Sequence, residues 1–172
     1  AVADHTIDVL STLKAEGVTP EWIQVGNETR SGMLWPVGRF QDEKGEIPGG
    51  WANYAQLTTA GYDACKAIFP DAMVIVHIDN AYMDNNWFYR NLLQYGGKFD
   101  MIGLSHYPMM KQWSGKDWLE MNQLAAQNII QLHDEFQCPV MVVEIGTYAD
   151  ALDAMDVIAD FRRRVDTLEY MK

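Results

Sequence analysis

The sequence predicts an α/β protein whose parallel strands form part of a (β/α)8 barrel. Three observations carry that expectation. Short apolar runs alternate with helical segments, each run ends in polar side chains, and none leads into a glycine-rich nucleotide turn. Strands separated by helices pair in parallel through right-handed crossovers. An open nucleotide-binding sheet would show a Gly-rich turn entering a helix, and GNETRSG (residues 26–32) is no such fingerprint. A barrel instead gathers functional side chains at the C-terminal ends of its strands.

The elements follow in order. Residues 4–16 carry Ile7, Leu10 and Leu13 on one helical face, and Gly17 is a natural stop. Residues 22–25 form a short strand, followed by a Gly- and Pro-rich loop over 29–50. A helix over 51–69 is ended by Pro70. The almost wholly apolar run 73–78 suits a strand buried on both faces. A short helix over 87–95 closes on Gly96-Gly97, and residues 101–105 make the third strand. Asp117 opens a helix with Glu120 three positions on, a capping-box pattern, and that helix runs to about Phe136. Residues 139–143 are the fourth strand, and a last helix is expected over 153–171. No internal repeat or low-complexity tract interrupts this order, so the chain reads as one domain over 1–172.

Composition narrows the function classes. With 13 Lys and Arg against 24 Asp and Glu, the formal charge is −11. Nucleic-acid binding depends on neutralising phosphates, and docking on anionic membranes needs basic residues, so both are disfavoured. No apolar run is long enough to span a bilayer, and the first residues show no basic segment followed by an apolar one. Cys65 and Cys138 are expected to be buried free thiols, since neither belongs to a CxxC pair. Aromatic residues make up 12% of the chain, including 6 Trp; most are expected in the core, the rest being free to stack on planar or ring-shaped ligands.

The strand ends carry the chemistry. Asn27-Glu28 follows the first strand; His77, Asp79 and Asn80 close the second; Ser105-His106-Tyr107-Pro108 closes the third; Glu144-Ile145-Gly146 follows the fourth. A single Glu after a strand is commonly a surface or capping residue. Two of them, two βα units apart on one barrel mouth, suit cleavage of a glycosidic bond. That reaction needs one carboxyl protonated to assist the leaving oxygen and one ionised to attack the anomeric carbon. Tyr107 is suited to orient a carboxylate nucleophile, and His106 to reach a sugar hydroxyl. The Asn27 amide is suited to hold a hydroxyl of the reacting ring, whereas His77 fits a core role as well as a site role. Trp35, Trp87 and Trp113 lie in or beside strand-end loops, where stacking on sugars or plain packing would each serve.

Four stretches, WIQVGNETRSGMLWPVGRF (22–40), VIVHIDNAYMDNNWFYRNLL (74–93), FDMIGLSHYPMM (99–110) and VMVVEIGTYAD (140–150), resemble glycoside hydrolase family 53, the arabinogalactan endo-β-1,4-galactanases. The resemblance implies that Glu28 is the acid/base at the end of the fourth barrel strand and Glu144 the nucleophile at the end of the seventh. It implies that Asn27 binds the hydroxyl next to the anomeric carbon, and that His77, Asp79, Asn80, His106, Tyr107 and Trp35 contribute to substrate binding; Trp113 is expected to join them from its place beside a strand-end loop. The implied substrate is the β-1,4-galactan of pectic side chains, met outside the cell, in the periplasm or at the cell surface, and cut without metal or organic cofactor. Two departures stand out: His106 occupies a position where the family usually has tyrosine, and the chain moves quickly into a helix after Glu144.

A full barrel takes about 250 residues. In the family's register the four strands here are the fourth to the seventh, so the chain is expected to supply part of a barrel. Bare sheet edges lead to an expectation of self-association or of pairing with the rest of the barrel. Two alternatives remain: a non-catalytic, sugar-binding remnant, or another retaining barrel hydrolase such as a β-glucanase or mannanase.

Overall fold

The first helix, α1 (Val2–Ala15), packs against α2 (Gly50–Ile68), and the short strand β1 (Trp22–Gln24) lies between them in sequence. The computed structural model describes residues 1–108, 114–147, 154–166 and 168. Five further strands and one helix precede the middle of the chain: β2 (Gly32–Met33), β3 (Gly38–Arg39), β4 (Gln41–Asp42), β5 (Gly45–Glu46), β6 (Met73–Ile78) and α3 (Asn86–Gln94). Then come β7 (Met101–His106), α4 (Trp118–Phe136), β8 (Val140–Ile145) and α5 (Ala154–Val165). The chain divides into two compact units, one of residues Ala1–His77 and Phe88–Met101, the other of Ile78–Trp87 and the chain from Ile102 onward.

In the first unit β1 and β6 pair in parallel, with Trp22 opposite Met73 and Gln24 opposite Ile75. Five of the six β6 residues are buried, as its unbroken apolar run requires. The loop over 29–50 is more ordered than its Gly and Pro content suggests, because it folds into two antiparallel ribbons, β2–β3 and β4–β5. Gly32 makes the first ribbon possible: its φ is +100°, and a Cβ there would lie 1.9 Å from the Gly38 carbonyl oxygen. Phe40 anchors the loop. It is fully buried and stacks on Trp51 with ring centroids 3.8 Å apart, with Tyr54 and Phe88 closing the cluster at 5.2 and 5.9 Å.

A second stabilising feature of this unit is Asp100. Its carboxylate meets Lys66 Nζ at 2.7 Å and accepts from the Tyr62 hydroxyl and the Val74 N–H, each at 2.8 Å. The start of β6 is thereby tied to the segment before β7 and to α2.

In the second unit β7 and β8 pair in parallel, and α4 packs against both α5 and β8. Asp117 caps α4 by accepting from the Glu120 N–H at 2.8 Å. The other half of the expected capping box is replaced, since the Glu120 carboxylate pairs with Lys116 Nζ at 2.7 Å. The last helix is shorter than expected: it ends at Val165, whose carbonyl accepts from the Leu168 N–H. Strand β8 is longer than expected, so Glu144 sits within it. Both cysteines are free, but only Cys65 is buried; Cys138 is half-buried.

Candidate active site

The turn after β1 presents Asn27 and Glu28 on an exposed corner. Gly26 and Glu28 both have left-handed backbones, with φ of 82° and 46°. Gly26 adopts this conformation freely, but for Glu28 it costs roughly 1–3 kcal/mol, so surrounding bonds must hold it. They come from His77 at the end of β6. The Thr29 N–H and Thr29 Oγ1 both donate to the His77 carbonyl, at 2.9 and 3.0 Å. The Glu28 N–H reaches His77 Nδ1 at 3.5 Å. Because Thr29 Oγ1 has already given its proton, the Tyr54 hydroxyl, 2.6 Å away, is the donor between those two groups. Burial pushes the Tyr54 phenol well above its ordinary range, against the Thr29 bond, so it stays protonated. Tyr54, Thr29 and His77 are all essentially inaccessible to solvent.

His77 thus has a fixed role beside Glu28. An accepting Nδ1 leaves the ring proton on Nε2. A ring nitrogen of His77 and a carboxylate oxygen of Glu28 lie within 4.8 Å of one another. Asn27 is held on its own side of the turn by Gln24, whose Nε2 donates to Asn27 Oδ1 at 3.3 Å and to the Gly26 carbonyl at 2.8 Å.

In the second unit a β-bulge aims the other carboxylate. Leu104 pairs with Val142, but the next β7 residue, Ser105, pairs with Glu144, leaving Val143 as an extra residue in β8. An inserted residue shifts the alternation of side chains by one, so the bulge decides which way Glu144 points. The half-buried Glu144 accepts from the Tyr107 hydroxyl at 2.7 Å. The expected role of Tyr107 as the partner of a strand-end carboxylate thus has a direct contact behind it.

His106 does not reach a sugar. Alternation along β7 turns it opposite to its neighbours Ser105 and Tyr107, toward the helices. It is fully buried, with Nε2 2.8 Å from Asn122 Oδ1 and its ring centroid 4.5 Å from that of Phe161. The Asn122 amide nitrogen donates to the Val157 carbonyl at 2.9 Å and to Asp160 at 3.1 Å, so its oxygen must accept from His106. Burial pushes the His106 imidazole down to about 4, the Asn122 bond opposing that shift only in part. This histidine is a structural residue, and the expectation of a substrate contact from it is withdrawn.

Asp79 and Asn80 are half-buried in the turn after β6. Asn80 has φ 54°, and its carbonyl accepts from the Met83 N–H at 3.0 Å and from Asn85 Nδ2 at 3.2 Å. The next residue ties the turn down: the Ala81 N–H donates to the Ser105 carbonyl at 2.9 Å, and Asn128 Nδ2 donates to the Ala81 carbonyl at 2.9 Å. Trp35, between β2 and β3, is 57% exposed, with the Arg39 guanidinium 4.1 Å over its ring. That leaves much of the indole accessible. Trp87 is half-buried, and Trp113 lies outside the described residues.

Three residues of this arrangement escaped sequence reasoning. Thr29 directly follows Glu28, and Tyr54 is an aromatic on the buried face of α2; neither carries a signal of its own. Asn122 does, because a polar side chain flanked by the buried Met121 and Ala125 on a helix must find a partner indoors.

Comparison with known families now bears on this geometry. The model of glycosyl hydrolase family 53 matches residues 1–170. The chain belongs to that family. Among similar proteins, this family 53 chain is 34% identical to a Niallia circulans protein from the bgaB 5' region, over 84% of the chain and 38% of that protein. It is also 34% identical to an arabinogalactan endo-β-1,4-galactanase of Thermothelomyces thermophilus, over 61% of the chain and 32% of the relative. The family 53 chain therefore spans under two-fifths of the length of these relatives. A fungal β-1,4-galactanase structure superposes with a TM-score of 0.77 at 22% identity, covering 96% of this chain and 53% of that one. The Ignisphaera aggregans GH53 catalytic domain gives 0.70 at 23% identity, covering 93% and 43%. These likenesses show the fold: the family 53 chain is part of a (β/α)8 barrel.

Proposed function

We propose that the protein to which this chain belongs is a retaining endo-β-1,4-galactanase acting on pectic galactan. In this reading Glu144 attacks the anomeric carbon while Glu28 protonates the departing galactosyl oxygen. Water, activated by the newly ionised Glu28, then attacks the covalent galactosyl-enzyme and returns the anomeric carbon to its starting configuration. Asn27, Asp79, Asn80 and Trp35 bind the sugar chain, as does Trp113, which lies outside the described residues, while the buried His77, expected to bind substrate, serves instead to hold the Glu28 corner. Direct hydrolysis of this kind calls for no cofactor. A polymer of the plant wall is met outside the cytoplasm, which places the enzyme outside the cell, in the periplasm or on the surface.

The observation that carries the reading is the 2.7 Å bond from Tyr107 to Glu144. A phenol donating to a carboxylate fixes the orientation of its oxygens, which is what an attacking nucleophile needs. The exposed Glu28, on a backbone corner clamped by the buried His77, supports the acid/base role. The mechanism requires the two carboxyls to approach to about 5–5.5 Å. Two measurements test it. Galactan hydrolysis followed by NMR should release β-anomers first; initial α-anomers would refute retention. Glu144→Gln should abolish turnover, and Glu144→Gly with azide should yield the α-galactosyl azide, whereas Glu28→Gly should yield the β-azide.

A second reading is favoured by one fact: the chain spans only 38% of a relative it matches over most of its own length. On this reading the 172 residues hold both carboxylates yet need the remaining strands to bind a sugar ring. Among the described residues β1 pairs only with β6, and β8 only with β7, which supports pairing with the rest of a barrel or with another copy. Reducing-end release from galactan by the chain alone separates the two readings, and a monodisperse monomer by light scattering argues against self-association.

A further inference from the structure

We propose that Gly146 is a positioning residue for Glu144, acting through the ring of Tyr107. The inference rests on reading Glu144 as the nucleophile. A Cβ built on Gly146 would lie 2.7 Å from Tyr107 Cε1 and 3.0 Å from Cδ1, closer than carbon atoms approach without displacement. The Tyr107 ring therefore lies directly on the Gly146 backbone. From there its hydroxyl reaches Glu144 at 2.7 Å.

The surrounding bonds make this a built arrangement. The Gly146 N–H donates to the His106 carbonyl at 3.2 Å, which fixes the backbone of residue 146 against the residue that precedes Tyr107. The bulge at Val143 places Glu144 opposite Ser105, two residues before Tyr107 on the same strand face. Tyr107, just past the end of β7, and Glu144, on the paired strand β8, thus meet, and the space that lets them do so is the space of one missing side chain. Unlike Gly26 or Gly32, Gly146 does not have a left-handed backbone. An alanine there is spared the left-handed penalty, so its effect is expected through the ring it displaces.

To restore an ordinary contact the ring must retreat by roughly 1 Å. A hydroxyl at the far end of a rigid ring moves at least as far, out of the hydrogen-bond range of about 2.5–3.0 Å for O–H···O. Tyr107→Phe removes the same bond by deleting the donor. The two changes therefore act on one interaction and should not add.

The test is structural first. In crystals of Gly146→Ala, the Tyr107 hydroxyl should stand more than ~3.5 Å from Glu144. A bond retained within ~3.0 Å overturns the proposal. If Gly146→Ala fails to fold, adding Tyr107→Leu, which removes the ring, should restore folding; failure to do so also overturns it. Kinetics in the active protein then give the second arm. Gly146→Ala and Tyr107→Phe should each lower kcat about ten- to a hundredfold with little change in KM, the range expected for one hydrogen bond to a charged group. The double variant should be no slower than the worse single one, and multiplying effects would overturn the proposal. A broken bond in the crystal with unchanged kcat overturns the positioning role, whereas turnover that survives Glu144→Gln removes the nucleophile role from Glu144, so the two failures are distinguishable.

Discussion

The Tyr54 hydroxyl donates to Thr29 Oγ1 across 2.6 Å, and Thr29 Oγ1 donates in turn to the His77 carbonyl. This chain of two hydroxyls joins α2 to the end of β6 and runs directly beneath Glu28. It explains how a non-glycine residue is held at φ 46° on an exposed corner. Tyr54→Phe keeps the ring in the cluster with Phe40 and Trp51 but leaves Thr29 Oγ1 without its donor. We expect a loss of about 1–2 kcal/mol of stability. If Glu28 is the acid/base, kcat should also fall while KM changes little. Urea unfolding and initial rates read the two effects separately, and a variant as stable as the wild type would show that the hydroxyl chain holds nothing.

Asp100 sets part of the acid limit of the fold. Burial alone would raise its carboxyl, but the bonds from Lys66, Val74 and Tyr62 outweigh burial and hold it below the usual carboxylate range. A depressed folded value means the stabilisation is complete above the unfolded value of about 3.9 and is lost as pH falls through the folded one. Asp100→Asn should cost about 1.5–3 kcal/mol at pH 7, the range for hydrogen bonds to a charged group. Its stability and that of the wild type should converge as pH falls through the folded value of this carboxyl. Parallel stability curves down to that pH would contradict the assignment.

His106 should contribute in the same direction over a higher pH window. Its folded value of about 4 lies below the ordinary 6.5, so the unfolded chain binds the proton more readily between those limits. Stability from this group is complete above about pH 6.5 and is lost as pH falls toward about 4, by up to roughly 3 kcal/mol. His106→Gln keeps a donor for Asn122 and removes the titration. The variant should therefore lose less stability than the wild type between pH 7 and pH 4.5 in urea titrations. On the structural role assigned to this residue, KM for galactan should stay within about twofold; a large rise would restore it to the substrate site.

Trp35 gives a prediction about polymer recognition. Its indole is 57% exposed, and the Arg39 guanidinium lies 4.1 Å over the ring. If the ring stacks on galactosyl units, Trp35→Ala should raise KM for galactan by about ten- to a hundredfold, the equivalent of a stacking contact of 1–3 kcal/mol. A short aryl galactoside spanning only the reacting subsite should be cut at an unchanged rate. Equal losses on both substrates would place Trp35 in folding instead.

Much of the architecture was legible in the sequence because it rests on local signals. The apolar run at 73–78, the caps at Asp117 and Gly17, and the breaks at Pro70 and Gly96-Gly97 each state their element through patterning or backbone chemistry alone. The polar residues at the strand ends were legible for the same reason, since an apolar strand that stops at Asn27-Glu28 or Glu144 announces its own C-terminal face. The two ribbons in the 29–50 loop were not, because a two-residue strand has no periodicity to read.

Direction is what the sequence could not supply. His106 and Tyr107 are adjacent and both suited to a sugar site, yet one is buried against Asn122 and Phe161 while the other meets Glu144. Strand alternation separates them, and which of the two faces the helices depends on the pairing of β7 with β8. The bulge at Val143 and the space above Gly146 are likewise properties of two strands lying side by side. The sequence by itself determined which elements form and which side chains stand at their ends, since those follow from short-range propensity and burial. Only the tertiary structure decided where each side chain points and what fixes it there, because register, bulges and close ring-to-backbone contacts exist only between segments distant in the chain.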